Sequence, residues 1–352
     1  MRTFLSLPAV IAVFGTLAFS QAPPVARVIG SHALPVMAVA VSPDERTIAS
    51  ASGTAHDGVL VGQVLLWDAT TGARVGELTG RGGVFYSLAY SPDGGLLAAG
   101  NSAGTTTVWD VRTGAVRHDF RGHIGPVRGL AFAPDGRTLA TSGIRSDEVQ
   151  LWDPNSGASL AAIKAHSGGI MALAWSRAGL LATVGRDLTL KVWSSTRQLA
   201  STIQGLRERT LTVTFAGDGT TLMIGGAGVT VVDLTTGKVQ TIDGFQNTVS
   251  SMLFTPDGQT LITATGAAEI MNGGRAMIMG YPEFQVTPQA ASDTAAGTSR
   301  AGIIRAHNAK TGELVGELSA LTDFIWSVAH LPGRSELITG SSDGTVRAWR
   351  YP

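Results

Sequence analysis

Between residues 122 and 163 apolar and polar positions form four short runs separated by turns. Gly122-His123 leads into an apolar run from Val127 to Phe132. The turn Ala133-Pro134-Asp135-Gly136 follows, then a second run from Thr138 to Ser142. A third run ends at Trp152-Asp153. After the turn Asn155-Ser156-Gly157 a fourth run reaches Ile163, and at His166 the pattern begins again. Runs of this length, bounded by Gly, Pro, Asp and Asn, predict strands, and their even spacing predicts an antiparallel sheet. A recurrence of about 40 residues makes the unit a repeat.

Seven copies align on the turn between the first and second strands. The turns are Ser42-Pro43-Asp44, Ser91-Pro92-Asp93-Gly94, Ala133-Pro134-Asp135-Gly136, Ser176-Arg177-Ala178-Gly179, Ala216-Gly217-Asp218-Gly219, Thr255-Pro256-Asp257-Gly258 and Leu331-Pro332-Gly333. Pro presets the first turn dihedral, Asp bonds back to the backbone, and Gly takes the positive φ. These Asp residues therefore read as turn formers and not as acids. The third strand ends at Trp67, Trp109, Trp152, Trp193 and Trp349, with Val232 and His307 in the fifth and sixth copies.

Gly-His at the start and Trp-Asp near the end of such a unit resemble the WD40-repeat family, over nearly the whole chain after residue 24. The fold class this implies is all-β. A single seven-bladed β-propeller of four-stranded antiparallel blades is expected over residues 24–352. The blades fall near 30–78, 79–120, 121–163, 164–203, 204–242, 243–318 and 319–352. The last copy reaches Trp349 without a fourth strand. Ala26 to His32 matches strand-then-His passages such as Leu160 to His166. Residues 25–30 are thus expected to complete the last blade, Arg27–Ile29 pairing with Thr345–Trp349. That closes the ring and removes an open edge.

The resemblance also implies a hydrogen-bonded network inside each blade, joining the early His, a Ser or Thr on the second strand, an Asp in the next turn, and the Trp. The fourth copy carries all four: His166, Thr183, Asp187 and Trp193. The third has His123, Thr141 and Trp152, with Asp147 one place off the usual spacing. The seventh keeps Thr339, Asp343 and Trp349 but has Leu321 for His. The first has His32 and Trp67. Copies two, five and six lack the His, with Arg81, Leu206 and Phe245 in its place. Buried polar groups of this kind are structural, each satisfying the next.

The copies differ mainly between their second and third strands, where copy one has an insertion at 53–63 and copy six a longer one at 265–301. In a propeller both rise on one face, flanking the seventh blade. The longer insertion holds Met271, Met277, Met279, Tyr281 and Phe284, then Ala, Ser, Thr and Gly with little apolar bulk. A Met-rich patch with aromatics is an adaptable contact surface. A hairpin folded back on its own blade competes with that reading over Ala276–Met279. The residues expected to meet a protein or peptide partner are Tyr86, Tyr281, Phe284 and Trp326.

Composition adds three constraints. The charge balances at 26 basic and 26 acidic residues with no run of either sign, so no nucleic-acid partner is expected. Only 15% of residues are charged, which suits sheets buried on both faces. Residues 1–20 pair a basic start (Arg2) with an apolar run from Phe4 to Phe19 and small residues before Gln21. This reads as a secretory signal, cut after Ser20 or Ala22. An uncleaved anchor is the alternative, though the run is short for a span of about 20 residues. The chain has no cysteine, hence no disulfide and no site for lipid on a leading Cys. A periplasmic or secreted protein is expected, with no membrane contact after cleavage and monomeric on its own.

Candidate chemistry is sparse. Gly340-Ser341-Ser342-Asp343-Gly344 matches Gly-x-Ser-x-Gly, but a nucleophile needs a strand-to-helix elbow there. The His residues show no metal-ligand spacing. Gly225-Gly226-Ala227-Gly228 lacks the following helix and Lys of a phosphate loop. No catalytic residue, metal or cofactor is expected. The function expected is a non-enzymatic interaction platform. The alternative is an exported propeller enzyme of quinoprotein or lactonase type, with its site in the central channel.

Overall fold

The computed structural model describes residues 26–56, 59–80, 82–207, 210–245, 248–266, 270–272, 275–277, 302–318 and 323–351. Residues 54–56, 59–61, 270–272 and 275–277 are described by backbone alone. The predicted signal segment 1–20, Arg81, Leu321, and the predicted contacts Tyr281 and Phe284 lie outside the described residues.

Seven antiparallel sheets of four strands account for the repeats. The strands of each blade are named a to d from the axis outward. Blade three, for example, runs Val127–Phe132, Leu139–Gly143, Glu148–Trp152 and Ser159–Lys164. Strand a of each blade touches strand a of the next, and blade seven touches blade one, so the ring is closed. Blade five, which has neither the Trp nor the His, is a complete blade from Thr212–Phe215 to Val239–Ile242. Strands b are buried along their length, as in Leu139–Gly143 and Leu181–Gly185. Apolar clusters fill the seams between blades, such as Leu96, Ala98 and Phe120 of blade two against Leu139 and Trp152 of blade three. Burial on both faces of each sheet explains the small share of charged residues.

The closing strand is Arg27–Ser31, which pairs antiparallel with Thr345–Arg350. Arg27 lies opposite Ala348 and Ser31 opposite Thr345. Ile29 is buried with Ile48 and Trp67 of blade one and Val346 of blade seven. Gly30 fits because a Cβ there would lie 2.3 Å from the Trp67 ring. Arg27 also forms an ion pair with Glu336 at 3.1 Å and donates to the Ala69 carbonyl.

The a–b turns follow the expected chemistry with one correction. Gly94, Gly136, Gly179, Gly219 and Gly258 take φ between 68° and 79°. In blade seven Gly333 does not do so. Pro332–Arg334 form a 3-10 turn, and Ser335 takes the left-handed conformation at φ 51°. Pro332 matches Pro92 of blade two and Gly333 matches Asp93, so the glycine comes too early for the positive φ and the reversal falls two residues after it. A side chain at positive φ is strained. Ser335→Gly is therefore expected to stabilise the fold by about 0.5–1 kcal/mol, read as a higher urea midpoint.

Both insertions leave from b–c connections. In blade one the insertion is an extension of the blade itself, Thr47–His56 pairing with Val59–Asp68 through His56 opposite Val59. In blade six Thr265 still pairs with Ile303, so the excursion starts after Gly266 and not at Thr265. Within it Ile270–Asn272 and Arg275–Met277 form a separate two-stranded ladder. Strands alternate in direction, so b–c connections and the starts of all strands a lie on one face. Blade seven stands between blades six and one.

Candidate functional site

Two arrangements deserve the name of site: the polar networks inside the blades, and the mouth of the central cavity. In blade four the polarity of the network can be followed atom by atom. His166 Nδ1 lies 2.9 Å from Asp187 Oδ1, so that nitrogen carries the proton and donates to the carboxylate. Nε2 then accepts from the Thr183 hydroxyl at 2.8 Å. Thr183 Oγ1 in turn accepts from Trp193 Nε1 at 3.1 Å. Burial holds the His166 pKa below its usual value, the Asp187 contact opposing it. Burial also opposes ionisation of Asp187, but bonds from Thr189 and His166 outweigh it and leave that carboxyl below the usual range.

Blade three has the same core without the acid. His123 Nε2 is 2.8 Å from Thr141 Oγ1, which accepts from Trp152 Nε1 at 2.9 Å. Asp147 does not reach His123. Its carboxylate accepts from the Gly168 N–H of blade four at 2.8 Å, so the shifted spacing turns it toward the neighbouring blade. His123 Nδ1 is left buried without a hydrogen-bond partner. In blade one Ser50, not singled out in the sequence, completes the set. It lies 2.6 Å from His32 Nε2 and accepts from Trp67 Nε1 at 2.7 Å. The signal was its position two residues after Ile48, matching Thr141 after Leu139. In blade seven Trp349 Nε1 donates to Thr339 at 2.9 Å, while Asp343 bonds Thr345 and Arg347.

In blades two, five and six, which lack the His, at least one other member is replaced as well. Blade five replaces the set with Leu206, Ile224 and Val232, all buried. In blade two Ala99 stands opposite Thr107, and Trp109 Nε1 donates to the Thr79 carbonyl at 2.7 Å. Blade six sets Phe245 against His307, ring centroids 5.5 Å apart. Its His307 Nδ1 donates to the Gly312 carbonyl at 3.2 Å. Blade five loses every polar member together, which is cheaper than orphaning one.

The buried imidazoles give the fold a pH dependence. Burial lowers both His32 and His123 from 6.5 to about 4. As pH falls through 6.5 the unfolded chain takes up these protons and the folded chain does not. Stability is thus complete above about pH 6.5 and is lost progressively toward pH 4. The loss is on the order of 2 kcal/mol for each His after allowance for residual solvent contact. Urea midpoints that stay level from neutral pH down to about pH 4.5 would contradict this.

The turn acids sit in local turn bonding. Asp44, Asp93 and Asp257 each accept from the Ser or Thr hydroxyl two residues earlier, at 2.6 Å. Those hydroxyl bonds hold the three carboxyls below the usual range. In the Gly-x-Ser-x-Gly stretch the motif's serine, Ser342, lies in the turn that joins strand b to strand c, and its hydroxyl accepts from the Phe324 N–H at 3.1 Å. There is no elbow leading to a helix. Gly225-Gly226-Ala227-Gly228 is a tight b–c turn closed by the Gly226 N–H on the Gly228 carbonyl. Among the described residues no three His, Cys, Asp or Glu side chains are placed to hold a metal ion.

A cavity of about 340 Å³ lies on the axis, lined by first strands from all seven blades. In six blades strand a carries a bulge near its start. The residues passed over are Met37, Tyr86, Arg128, Met171, Ser250 and Trp326, and each lines this cavity. A bulge re-aims one side chain out of the alternation, which the strand pattern alone does not reveal. The Arg128 guanidinium stands 5.5 Å from the centre of the Tyr86 ring. Trp326 is 8% exposed and packs with Met37 and Val84, so it supports the mouth and offers a partner little of its own surface. Ser residues near the bulges tie neighbouring blades together. Ser87 donates to the Val127 carbonyl, Ser251 accepts from the Val328 N–H, and Ser327 accepts from the Val39 N–H.

These features define a closed seven-bladed propeller with structural networks inside the blades and a mixed aromatic, thioether and cationic mouth on the axis. Five segments, residues 24–61, 72–110, 114–153, 157–194 and 312–350, match the model of the WD40 family (WD domain, G-beta repeat), and the chain belongs to that family. None of the five covers 195–311, where the structure nevertheless builds blades five and six. No curated protein matches the sequence.

Proposed function

We propose that the protein is exported and works as a non-enzymatic platform that holds a protein or peptide on the face carrying the two insertions. The observation that carries this reading is the convergence at that face. Tyr86 and Arg128 meet at the axis, over the buried Met37 and Met171, on the face where both b–c excursions leave the ring. A stiff ring with variable loops recognises by surface and needs no reactive group. Export is supported by the basic and apolar pattern of residues 1–20. WD40 propellers commonly bind proteins or peptides, in keeping with this reading.

The experiment is crosslinking in the native host followed by mass spectrometry, comparing three forms. Deleting residues 281–300 is expected to leave the melting temperature unchanged and to abolish capture of the partner. Tyr86→Ala is expected to weaken capture about tenfold, as removal of a central aromatic anchor does. Full capture by both variants would end the proposal.

A further inference from the structure

A second opening lies away from the insertions, between blades six and seven. Its walls are Ile262, Ile304, Val315 and Leu318 of blade six with Leu337 and Tyr351 of blade seven, and its volume is about 340 Å³. The a–b turn of blade six, Thr255 to Asp257, forms part of its rim, so it opens toward the face opposite the insertions. An apolar cavity of about 150 Å³ already accommodates benzene. This one has room for a Leu or Phe side chain.

The cleft has a cause in the sequence. In blade six the register Ile262, Ala306, Gly316 runs across strands b, c and d. The matching c and d residues are Val108 and His118 in blade two, Leu151 and Ala161 in blade three, and Val192 and Ser201 in blade four. In blade two the seam is filled further by Phe120, stacked on Trp152 of blade three at 4.6 Å. Blade six has Leu318 at that register, opposite Ile304. Small residues at both positions leave the seam open.

Charge at the rim is negative. Asp257 is the charged side chain among the described lining residues. Its carboxylate accepts from the Thr255 hydroxyl and the Gln259 N–H, which fix its position. Glu45 of blade one also stands near, since both carboxylates act on Tyr351 and His330. Those two side chains are hydrogen-bonded to each other at the end of blade seven. The cleft is thus apolar within and acidic at its edge.

We propose that this cleft is a second binding site, taking an aliphatic or aromatic side chain of a peptide partner that carries a Lys or Arg beside it. The apolar side chain leaves water for the seam. The cation meets Asp257, whose bonded geometry makes it a ready acceptor. The site stands on the other face of the ring and does not depend on the reading of the insertion face.

The test uses the full chain and two acetylated, amidated tetrapeptides, Gly-Leu-Arg-Gly and Gly-Leu-Glu-Gly, titrated by NMR to millimolar concentration. The Arg peptide is expected to shift the signals of Val315 and Tyr351 and to bind at least tenfold more tightly than the Glu peptide. Gly316→Leu, which fills the cleft, is expected to abolish the shifts with folding intact. Asp257→Asn, which keeps the turn bonds, is expected to remove the preference between the peptides, while Tyr86→Ala leaves it unchanged. Equal binding of both peptides, or no shift, would overturn the proposal. So would binding that appears only after residues 1–25 are removed, since the chain's own leading segment would then be the occupant.

Discussion

Removing residues 26–31 is expected to abolish cooperative folding, not merely to lower its midpoint. The strand Thr345–Arg350 would lose its outer partner and present a row of unpaired backbone groups. Ile29, 4% exposed, would leave the cluster it shares with Trp67 and Val346, and Glu336 would lose Arg27. A milder probe is Ile29→Ala, which keeps the strand and empties one seam. Its expected cost is about 3 kcal/mol, in the range of large-to-small core changes. Urea unfolding with size-exclusion chromatography measures both. A monomeric deletion variant that unfolds in one transition near the parent midpoint would show that the ring does not rely on this closure.

Thr183→Val should cost about 2–4 kcal/mol, although the two side chains are nearly the same size. The hydroxyl is both donor to His166 Nε2 and acceptor from Trp193 Nε1. Its loss leaves both partners buried and unpaired, and low dielectric makes that expensive. Blade five shows what happens when all members change together, since Leu206, Ile224 and Val232 pack with no polar atom to satisfy. The triple variant His166→Leu, Thr183→Ile, Trp193→Val is therefore expected to be less destabilised than the sum of its single changes. Additive costs in the cycle would mean that the three side chains act separately.

The ring itself was legible in the chain. The turn residues recur seven times, the third-strand Trp marks five of those copies, and the missing last strand points to the closure, because period-two burial and turn chemistry are local. Directions and neighbours were less legible. Asp147 was readable as an acid near the expected spacing, but nothing in the sequence says that its carboxylate turns to Gly168. The bulges that aim Met37, Tyr86 and Arg128 at the axis depend on register between strands a and b, which no single strand encodes. Trp326 was read as a contact residue and proves to be largely covered. The cleft beside Leu337 was the least legible. It comes from missing bulk at Ala306 and Gly316, seen only when strands of one blade are laid against the next.

The antiparallel pairing of the first and last strands also sets how the molecule responds to tension. Arg27 and Ala348 face each other, so the two chain ends leave the sheet at the same edge. A pull applied through both ends would peel the pair apart one rung at a time, since each rung lies across the strands. Peeling breaks bonds in sequence and proceeds at far lower force than sliding all of them at once. A tether that must hold under strain would do better to grip the blades from the side.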